Sequence, residues 1–238
     1  MIEEKKILCV LNTFFNYEHI KECFDSIYTD EVDFFILENK SKYSNLIEDY
    51  FSNKNIIGYI QSEENVTHGT VDYFIKNYKD LIEKYDYITI TDGDLLINDI
   101  KSLYSEIISI LNEDNVMVCC VDLINDNLPT HTIPESVNWV PKSTIINNKY
   151  LNGFSGTHML TLKKENLFLI MSMDKFIDVA VQRNVMINNG LWAKTLINKA
   201  KHLTWDYYYN GNEYYEWKKN NQWTLGLHNK ITNFKKIK

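Results

Sequence analysis

The segment that decides the fold is Tyr85-Asp86-Tyr87-Ile88-Thr89-Ile90-Thr91-Asp92-Gly93-Asp94-Leu95-Leu96-Ile97, an apolar run that ends in two aspartates separated by one glycine. Its β-branched and aromatic residues favour a buried strand. Asp92 and Asp94 follow where that strand leaves the sheet, and Gly93 permits a sharp turn between them. Ligands of open α/β sheets bind at the carboxyl ends of strands, and Mg²⁺ and Mn²⁺ prefer oxygen ligands. The segment therefore predicts a divalent-metal site, with an ordinary Asp- and Gly-rich surface turn as the alternative.

Length and composition predict one globular domain spanning residues 1–238. The chain is 45% hydrophobic, enough for a sizeable core, and we find no internal repeat or linker. Its net charge of -7 argues against a nucleic-acid partner, because phosphate contacts need clustered lysine and arginine. No apolar run approaches the roughly 18 residues of a membrane span, and the acidic Met1-Ile2-Glu3-Glu4 lacks a signal-peptide pattern. We therefore expect a cytoplasmic protein.

The four cysteines do not form a metal-binding or redox motif. They are Cys9, Cys23, Cys119 and Cys120, and none of their spacings is Cys-x-x-Cys. Two of them lie in apolar runs typical of strands. We expect buried, reduced thiols.

Strand and helix patterns alternate through the first half of the chain. This order predicts an α/β fold with a mostly parallel central sheet flanked by helices. The expected strands are 6–12, 32–37, 55–61 and 87–91, and the expected helices are 17–28, 44–51 and 71–85.

The second half is less regular. The pattern predicts a helix over 99–112, a strand over 116–121, a strand over 159–162 and a helix over 173–188. Residues 125–148 lie between the strand expected over 116–121 and the strand expected over 159–162. They contain Pro and many Asn residues, which is typical of a loop. Aromatic and polar residues dominate the remainder.

The order of the turn motifs resembles that of family 2 glycosyltransferases of the GT-A fold, which has a Rossmann-like sheet. The turn Asn12-Thr13-Phe14-Phe15 is similar to the family's Pro-Thr-Tyr-Asn, and Cys23-Phe24-Asp25-Ser26-Ile27 is similar to its Cys-Leu-x-Ser-Ile. Glu38-Asn39-Lys40-Ser41 resembles an Asp-Asn-x-Ser turn, and Glu64-Asn65 a Glu-Asn turn. Asp92-Gly93-Asp94 stands where the family keeps its Asp-x-Asp motif. The resemblance covers most of residues 6–190.

The resemblance implies a metal-dependent transferase that moves a sugar from a nucleotide-sugar donor to a glycan or glycolipid acceptor. It implies Asp94 as a direct ligand of Mn²⁺ or Mg²⁺, with Asp92 contacting the metal or the donor ribose. Residues 1–124 would bind the nucleotide-sugar and residues 125–238 the acceptor. UDP is the default nucleotide, and polysaccharide biosynthesis is an analogy to the family. The implied donor-site residues are Thr13, Phe14, Glu38, Asn39, Asn65, Asp92, Gly93 and Asp94.

The resemblance is weakest at the catalytic base. Inverting members of the family carry a Glu-Asp pair at the start of a helix, but Lys175 and Phe176 occupy those places here. Asp178 or Asp174 would then act as the base, although Asp178 also fits an ordinary helix-surface acid. The departure leaves inverting and retaining transfer both open, with inversion favoured.

Histidines and aromatic residues give further candidates. His228 has a position suited to a third metal ligand, since GT-A enzymes often use a histidine near the C-terminus. His68 and His158 are weaker candidates for contact with the donor or the acceptor, and positions in a loop or at a strand edge are the favoured interpretation. Trp139 and Trp223 are candidates for stacking on an acceptor sugar.

The basic tail 230–238 would suit weak contact with an anionic membrane. A solvated, frayed tail fits better.

Other functions compete with the transferase hypothesis. A phosphatase of the haloacid dehalogenase type would need its two-aspartate motif near the N-terminus followed by Gly-Thr, whereas Leu95 and Leu96 follow here. An enzyme that forms nucleotide-sugars would need a first loop rich in Gly and basic residues, which residues 12–16 do not supply. A non-catalytic nucleotide- or glycan-binding module on the same fold would explain the missing Glu-Asp pair.

Overall fold

The computed structural model describes residues 6–140, 142–171, 176, 178–221, 227 and 230–238. The strand and helix alternation expected for the first half is present. Its elements are β1 (Ile7–Phe14), α1 (Tyr17–Ile27), β2 (Val32–Asn39), α2 (Ser44–Ser52), β3 (Gly58–Ser62), α3 (Gly69–Asn77), α4 (Lys79–Ile82), β4 (Tyr87–Asp92), β5 (Leu95–Ile97), α5 (Ile100–Leu111) and β6 (Val116–Leu123).

The second half contains more regular structure than the sequence pattern indicates. The segment expected to be a loop over 125–148 carries a 3-10 helix, Pro134–Asn138, and a short strand. The elements that follow are β7 (Thr144–Ile146), β8 (Tyr150–Asn152), β9 (Leu160–Lys163), α6 (Lys164–Met171), α7 (Asp178–Ile187), β10 (Leu191–His202), a 3-10 helix (Leu203–Tyr207), α8 (Glu213–Asn220) and β11 (Phe234–Lys236). The described part of the helix expected over 173–188 begins at Asp178.

One mixed sheet joins both halves of the chain. Its order in the described residues is β11-β3-β2-β1-β4-β9-β6-β10-β8-β7, and β5 pairs with β10. Strands β3, β2, β1 and β4 are mutually parallel, as expected for the first half. The later strands add antiparallel pairs, because β9 lies between β4 and β6 and runs against both.

Helices cover both faces of this sheet, so its central strands are buried on both sides. Alternate residues of β1 show the arrangement: Cys9 and Leu11 pack with α1, α2 and α5, whereas Leu8 and Val10 pack with α3, α4, α6 and α7. The molecule is thus a single α/β domain with three layers. All four cysteines are buried and unbridged, as expected.

Two local expectations are wrong. The helix expected over 71–85 breaks near Tyr78, which ends α3 and precedes the short α4. The tail expected to be frayed forms β11, which pairs antiparallel with β3. Phe234 stacks on Tyr73 with ring centroids 3.8 Å apart, and this apolar contact anchors the tail.

No helix in the described ranges is long and apolar enough to cross a membrane.

Candidate functional site

A cavity of about 660 Å³ opens at the carboxyl ends of β1, β2 and β4. Parallel strands bring these ends together: Asn12 on β1 pairs with Asp92 on β4, and Phe14 pairs with Asn39 on β2. The segment after β10 and helix α8 contribute further walls of the cavity. The described lining residues are Asn12, Phe14, Asn16, Asn39, Asn65, Thr67, His68, Asp92, Gly93, Asp94, Ile133, Trp139, His202, Thr204, Trp205, Tyr208, Tyr214, Trp217 and Lys218.

Asp92 is held by two polar neighbours. Its Oδ1 accepts a hydrogen bond from Asn12 Nδ2 at 3.0 Å and lies 3.3 Å from His68 Nε2. Burial alone would raise the pKa of the Asp92 carboxyl, but the adjacent His68 and the Asn12 amide lower it. The same pair affects His68: burial opposes its charged form, yet the Asp92 carboxylate raises the pKa of His68 to about 9. The site therefore holds Asp92 as a carboxylate.

Gly93 places the second aspartate beside β10. Its N–H donates to the carbonyl of Asn12 at 3.0 Å. A Cβ here would stand 3.3 Å from Ile20 and 3.4 Å from Thr13, tighter than most real Cβ contacts. The backbone N–H of Leu203 donates to the carbonyl of Asp94 at 2.7 Å, which ties the motif to the segment after β10.

The two carboxylate oxygens of Asp94 have different environments. Its Oδ2 accepts a short hydrogen bond from Thr204 Oγ1 and lies 3.5 Å from His202 Nε2. Its Oδ1 is buried and finds no hydrogen-bond partner among the described residues, and the same holds for His202 Nδ1. His202 stacks on Trp205 with centroids 4.7 Å apart, and its burial lowers its pKa although Asp94 opposes this. A neutral imidazole is the form that binds metals.

These groups fit a divalent cation whose shell is completed by a substrate. Two carboxylates and a neutral imidazole are suitable ligands for Mn²⁺ or Mg²⁺. The unpartnered Asp94 Oδ1 supplies a buried acceptor that such a cation would satisfy. Across the described ranges, no three His, Cys, Asp or Glu groups are already positioned as a complete metal site. Substrate phosphates and water commonly supply the missing ligands of Mg²⁺.

The predicted donor-site residues divide into two groups. Phe14, Asn39 and Asn65 line the cavity together with Asp92, Gly93 and Asp94. The Asn39 side chain forms hydrogen bonds within the protein: its Nδ2 donates to Asn12 Oδ1 and to the Thr67 carbonyl, each at 3.1 Å. Its Oδ1 accepts from the backbone N–H of Val66 at 2.8 Å. Asn39 therefore fixes the walls of the cavity.

Thr13 and Glu38 are buried and lie outside the described lining. Thr13 Oγ1 donates to the Leu37 carbonyl at 3.2 Å. Glu38 is fully buried; its Oε2 accepts from Gln61 at 2.9 Å and from the Tyr59 hydroxyl. Burial raises the pKa of the Glu38 carboxyl, against the hydrogen bonds that favour its charge. The sequence predicted a turn beginning at Glu38 and a donor-site role for this residue, but residue 38 still belongs to β2 and its side chain is buried.

The candidate base Asp178 is linked to Asp92 through two side chains. Asp178 Oδ1 accepts from Thr157 Oγ1 at 2.8 Å, and Thr157 Oγ1 lies 3.4 Å from His68 Nε2. His68 in turn contacts Asp92. Asp178 does not itself line the described cavity.

Several other candidates have different outcomes. Asp174, Trp223 and His228 lie outside the described residues. Trp139 lines the cavity, whereas His158 does not; its Nδ1 lies 3.0 Å from Ser155 Oγ, and burial lowers its pKa to about 4. The roles of these residues stay predictions.

Sequence reasoning missed most of the wall contributed by the second half. His202, Thr204 and Lys218 were not singled out, although they surround the aspartate motif. One signal was available: the aromatic crowding between residues 205 and 217 marks a cavity wall as well as a core.

Comparison with known proteins gives relatives without a described activity. No family model matches the chain. The chain is 32% identical over 222 residues to the uncharacterized protein L142 of Acanthamoeba polyphaga mimivirus, covering 86% of this chain and 45% of that protein. It spans less than half the length of L142 and of two further mimivirus proteins, L138 and L137.

Solved structures establish the class of fold. The mannosyltransferase PcManGT from Pyrobaculum calidifontis, in complex with GDP-Man and Mn²⁺, matches with a TM-score of 0.60 at 10% identity, over 93% of this chain and 62% of that one. The 4-diphosphocytidyl-2C-methyl-D-erythritol synthase from Anaerococcus prevotii matches with a TM-score of 0.51 at 10% identity, over 82% and 89%. The chain therefore has a GT-A-like α/β fold.

Proposed function

We propose that this chain is a metal-dependent glycosyltransferase that moves a sugar from a nucleotide-sugar donor to a hydroxyl of a glycan or glycolipid acceptor, with inversion. The observation that carries the proposal is the position of Asp92 and Asp94: they line the cavity at and just after the end of β4, and Asp94 Oδ1 has no partner in the described part of the chain. The GT-A-like fold supports the same assignment, since Mn²⁺ and GDP-Man accompany the mannosyltransferase it resembles.

Residues of both halves of the chain would bind the cation and the substrates. Asp94 and His202 would hold the cation, Asp92 would contact the cation or the donor ribose, and Thr204 would orient Asp94 through its hydrogen bond. The cation, when bound, would neutralise charge on the donor diphosphate. Residues 1–124 are proposed to bind the nucleotide-sugar, and residues 125–238 the acceptor. In this proposal His202 is the metal-binding histidine among the described residues, and the expected role of His228, which lies outside them, stays a prediction.

The proposed base is Asp178, with Asp174 as the alternative. It would take the proton from the acceptor hydroxyl as that oxygen attacks the anomeric carbon. The chain Asp178–Thr157–His68–Asp92 supports this role, because it connects α7 to the donor side of the cavity. The turn after β1 favours glycosyl transfer over nucleotide-sugar formation, since residues 12–16 contain no glycine, lysine or arginine.

A thermal-shift panel tests the proposal. UDP-, GDP- and dTDP-sugars would each be measured with Mn²⁺ and with chelator. A ligand at 100 times its Kd adds about 2.7 kcal/mol to the free energy of unfolding, which for a chain of this size raises Tm by about 5–10 °C. We expect this shift with one nucleotide class and only with Mn²⁺.

Variants identify the residues responsible. Asp94→Asn should retain the circular dichroism of the wild type and lose the Mn²⁺-dependent shift, while Asp80→Asn, an exposed acid on α4, should keep it. A Mn²⁺-dependent shift that survives in Asp94→Asn would contradict the metal assignment.

The proposed base is tested by Asp178→Asn. This variant should keep the thermal shift, but a separate rate measurement should show that transfer of the sugar to water is about 100-fold slower or more. Binding without any turnover in the wild type would instead favour the non-catalytic module.

A further inference from the structure

Lys218 is a cation that lines the same cavity as the two aspartates. It lies on α8, and among the described lining residues it alone carries a lysine or arginine side chain. Its neighbour Lys219 is exposed and pairs with Glu216 at 3.2 Å. The two adjacent lysines therefore have different environments, one in the cavity and one in solvent.

Aromatic side chains hold the Lys218 ammonium in place. Lys218 Nζ donates to the Tyr208 hydroxyl at 2.5 Å and lies 5.0 Å from the centroid of the Tyr208 ring and 5.5 Å from that of Tyr214. Both distances are within the range of cation–π attraction. The helix is itself fixed at its start, because Asn212 Oδ1 accepts from the backbone N–H groups of Tyr214 and Tyr215.

The charges around Lys218 favour an anionic ligand. Burial lowers the pKa of the Lys218 ammonium, and the carboxylates of Asp94 and Asp92 oppose this shift only in part. A divalent cation would add two positive charges to the cavity, and these would neutralise the negative charge of the carboxylates that bind it. The ammonium and the cation would then share a cavity with aromatic walls. An anion between the two positive centres would restore the balance of charge.

We propose that Lys218 binds the diphosphate of the nucleotide-sugar donor and stabilises it as the leaving group. In the transfer step, the bond between the anomeric carbon and the diphosphate oxygen breaks, and its electron pair stays on that oxygen. The acceptor oxygen forms the new bond, and its proton goes to the base. Lys218 remains protonated and donates a hydrogen bond to the diphosphate, whose charge grows during the step. This inference rests on the proposed function.

Isothermal titration with matched ligands tests the role. UDP, GDP and dTDP would be titrated with Mn²⁺ into the wild type, Lys218→Met and Lys219→Met, alongside uridine, guanosine and thymidine. For the diphosphate that the wild type binds, Lys218→Met should weaken affinity about 10- to 100-fold, as expected for loss of a hydrogen bond to a charged group. Affinity for the matching nucleoside and for Mn²⁺ alone should not fall. Lys219→Met should change none of them by more than about 2-fold.

Further variants separate charge from folding. Lys218→Arg keeps the charge and should recover most of the diphosphate affinity, whereas Lys218→Gln keeps a donor for Tyr208 and should remain weak. These two variants decide the question if Lys218→Met fails to fold. With the matching donor, Lys218→Gln should also slow sugar transfer to water at saturating donor, because the diphosphate charge increases as the bond breaks.

Two outcomes overturn the inference in distinguishable ways. If the wild type binds a diphosphate but Lys218→Gln binds it as tightly, or loses diphosphate and nucleoside affinity equally, Lys218 has no such role and the transferase proposal stands. If the wild type binds no diphosphate with Mn²⁺, the proposed function fails and this inference fails with it.

Discussion

At the scale of single residues, the contact between His68 and Asp92 couples the candidate site to pH. His68 Nε2 lies 3.3 Å from Asp92 Oδ1, and the pKa of His68 is raised to about 9 although burial opposes the charge. In the unfolded chain a histidine titrates near 6.5. Because the folded pKa is the higher one, the stabilisation is fully present below about pH 6.5 and is lost as the pH rises to about 9.

We therefore predict that the metal-free protein loses stability between pH 6.5 and 9, by up to about 3 kcal/mol from this pair. His68→Gln should remove most of that loss. His131, an exposed histidine, provides the control, because His131→Gln should keep it. Urea midpoints in chelator at pH 6.5, 7.5 and 9 measure the effect. A His68→Gln protein with the same slope as the wild type would show that the His68–Asp92 contact does not stabilise the fold.

At the scale of elements, helix α5 determines the path of β10. The pairing of β10 with β6 shifts register between Lys194 and Lys199. The Glu106 carboxylate fills this irregular stretch, accepting from the backbone N–H groups of Leu196 at 2.7 Å and of Ile197 and Asn198 at 2.9 Å. These three N–H groups lie in the stretch where the pairing of β10 with β6 is interrupted, and the Glu106 carboxylate supplies their hydrogen-bond acceptors. The bulge is therefore held by a helix side chain, and the strand beyond it carries His202 to Asp94.

We predict that Glu106→Gln destabilises the protein by about 2 kcal/mol or more, because the amide turns one acceptor oxygen into a donor that faces N–H groups. Glu113→Gln is the matched control. Glu113 pairs with Lys149 near the surface at 2.6 Å, so its loss should cost less than about 1 kcal/mol. Chemical denaturation measures both. Equal costs for the two variants would mean that the Glu106 bonds do not hold the bulge.

At the scale of the whole molecule, one sheet connects the proposed donor and acceptor halves. Strand β9 of the second half lies between β4 and β6 of the first, and β10 pairs with both β6 and β5. If the second half unfolded, β6 would lose both of its neighbouring strands, and if the first half unfolded, β9 would lose both of its own. Such interleaving favours a single cooperative transition.

The distribution of tryptophan makes this cooperativity measurable. All five tryptophans lie in the second half, so their fluorescence reports that half, while far-ultraviolet circular dichroism reports the whole chain. We predict that the urea transitions followed by the two signals coincide. A fluorescence transition that precedes the circular dichroism transition would reveal two halves that unfold independently.

The sequence by itself determined the elements whose signal is local. The alternating apolar residues of β1, β2 and β4 and the amphipathic α1 and α5 are readable because each pattern repeats within one element. The position of Asp92 and Asp94 at a strand end follows from the same local pattern, and the structure opens a cavity there. The buried, unbridged cysteines follow from their apolar neighbours.

The tertiary structure alone decided which distant residues meet this motif. Strand β10 was not recognised, because its register shift and mixed burial break the alternation that marks a strand. Its pairing with β5 brings His202 to Asp94 across more than 100 positions of sequence, and α8 adds Lys218 from farther still. Glu38 turned inward for a similar reason, since Tyr59 and Gln61 on β3 supply its partners. Local patterns carry no information about such contacts, because they depend on strand order and register across the sheet.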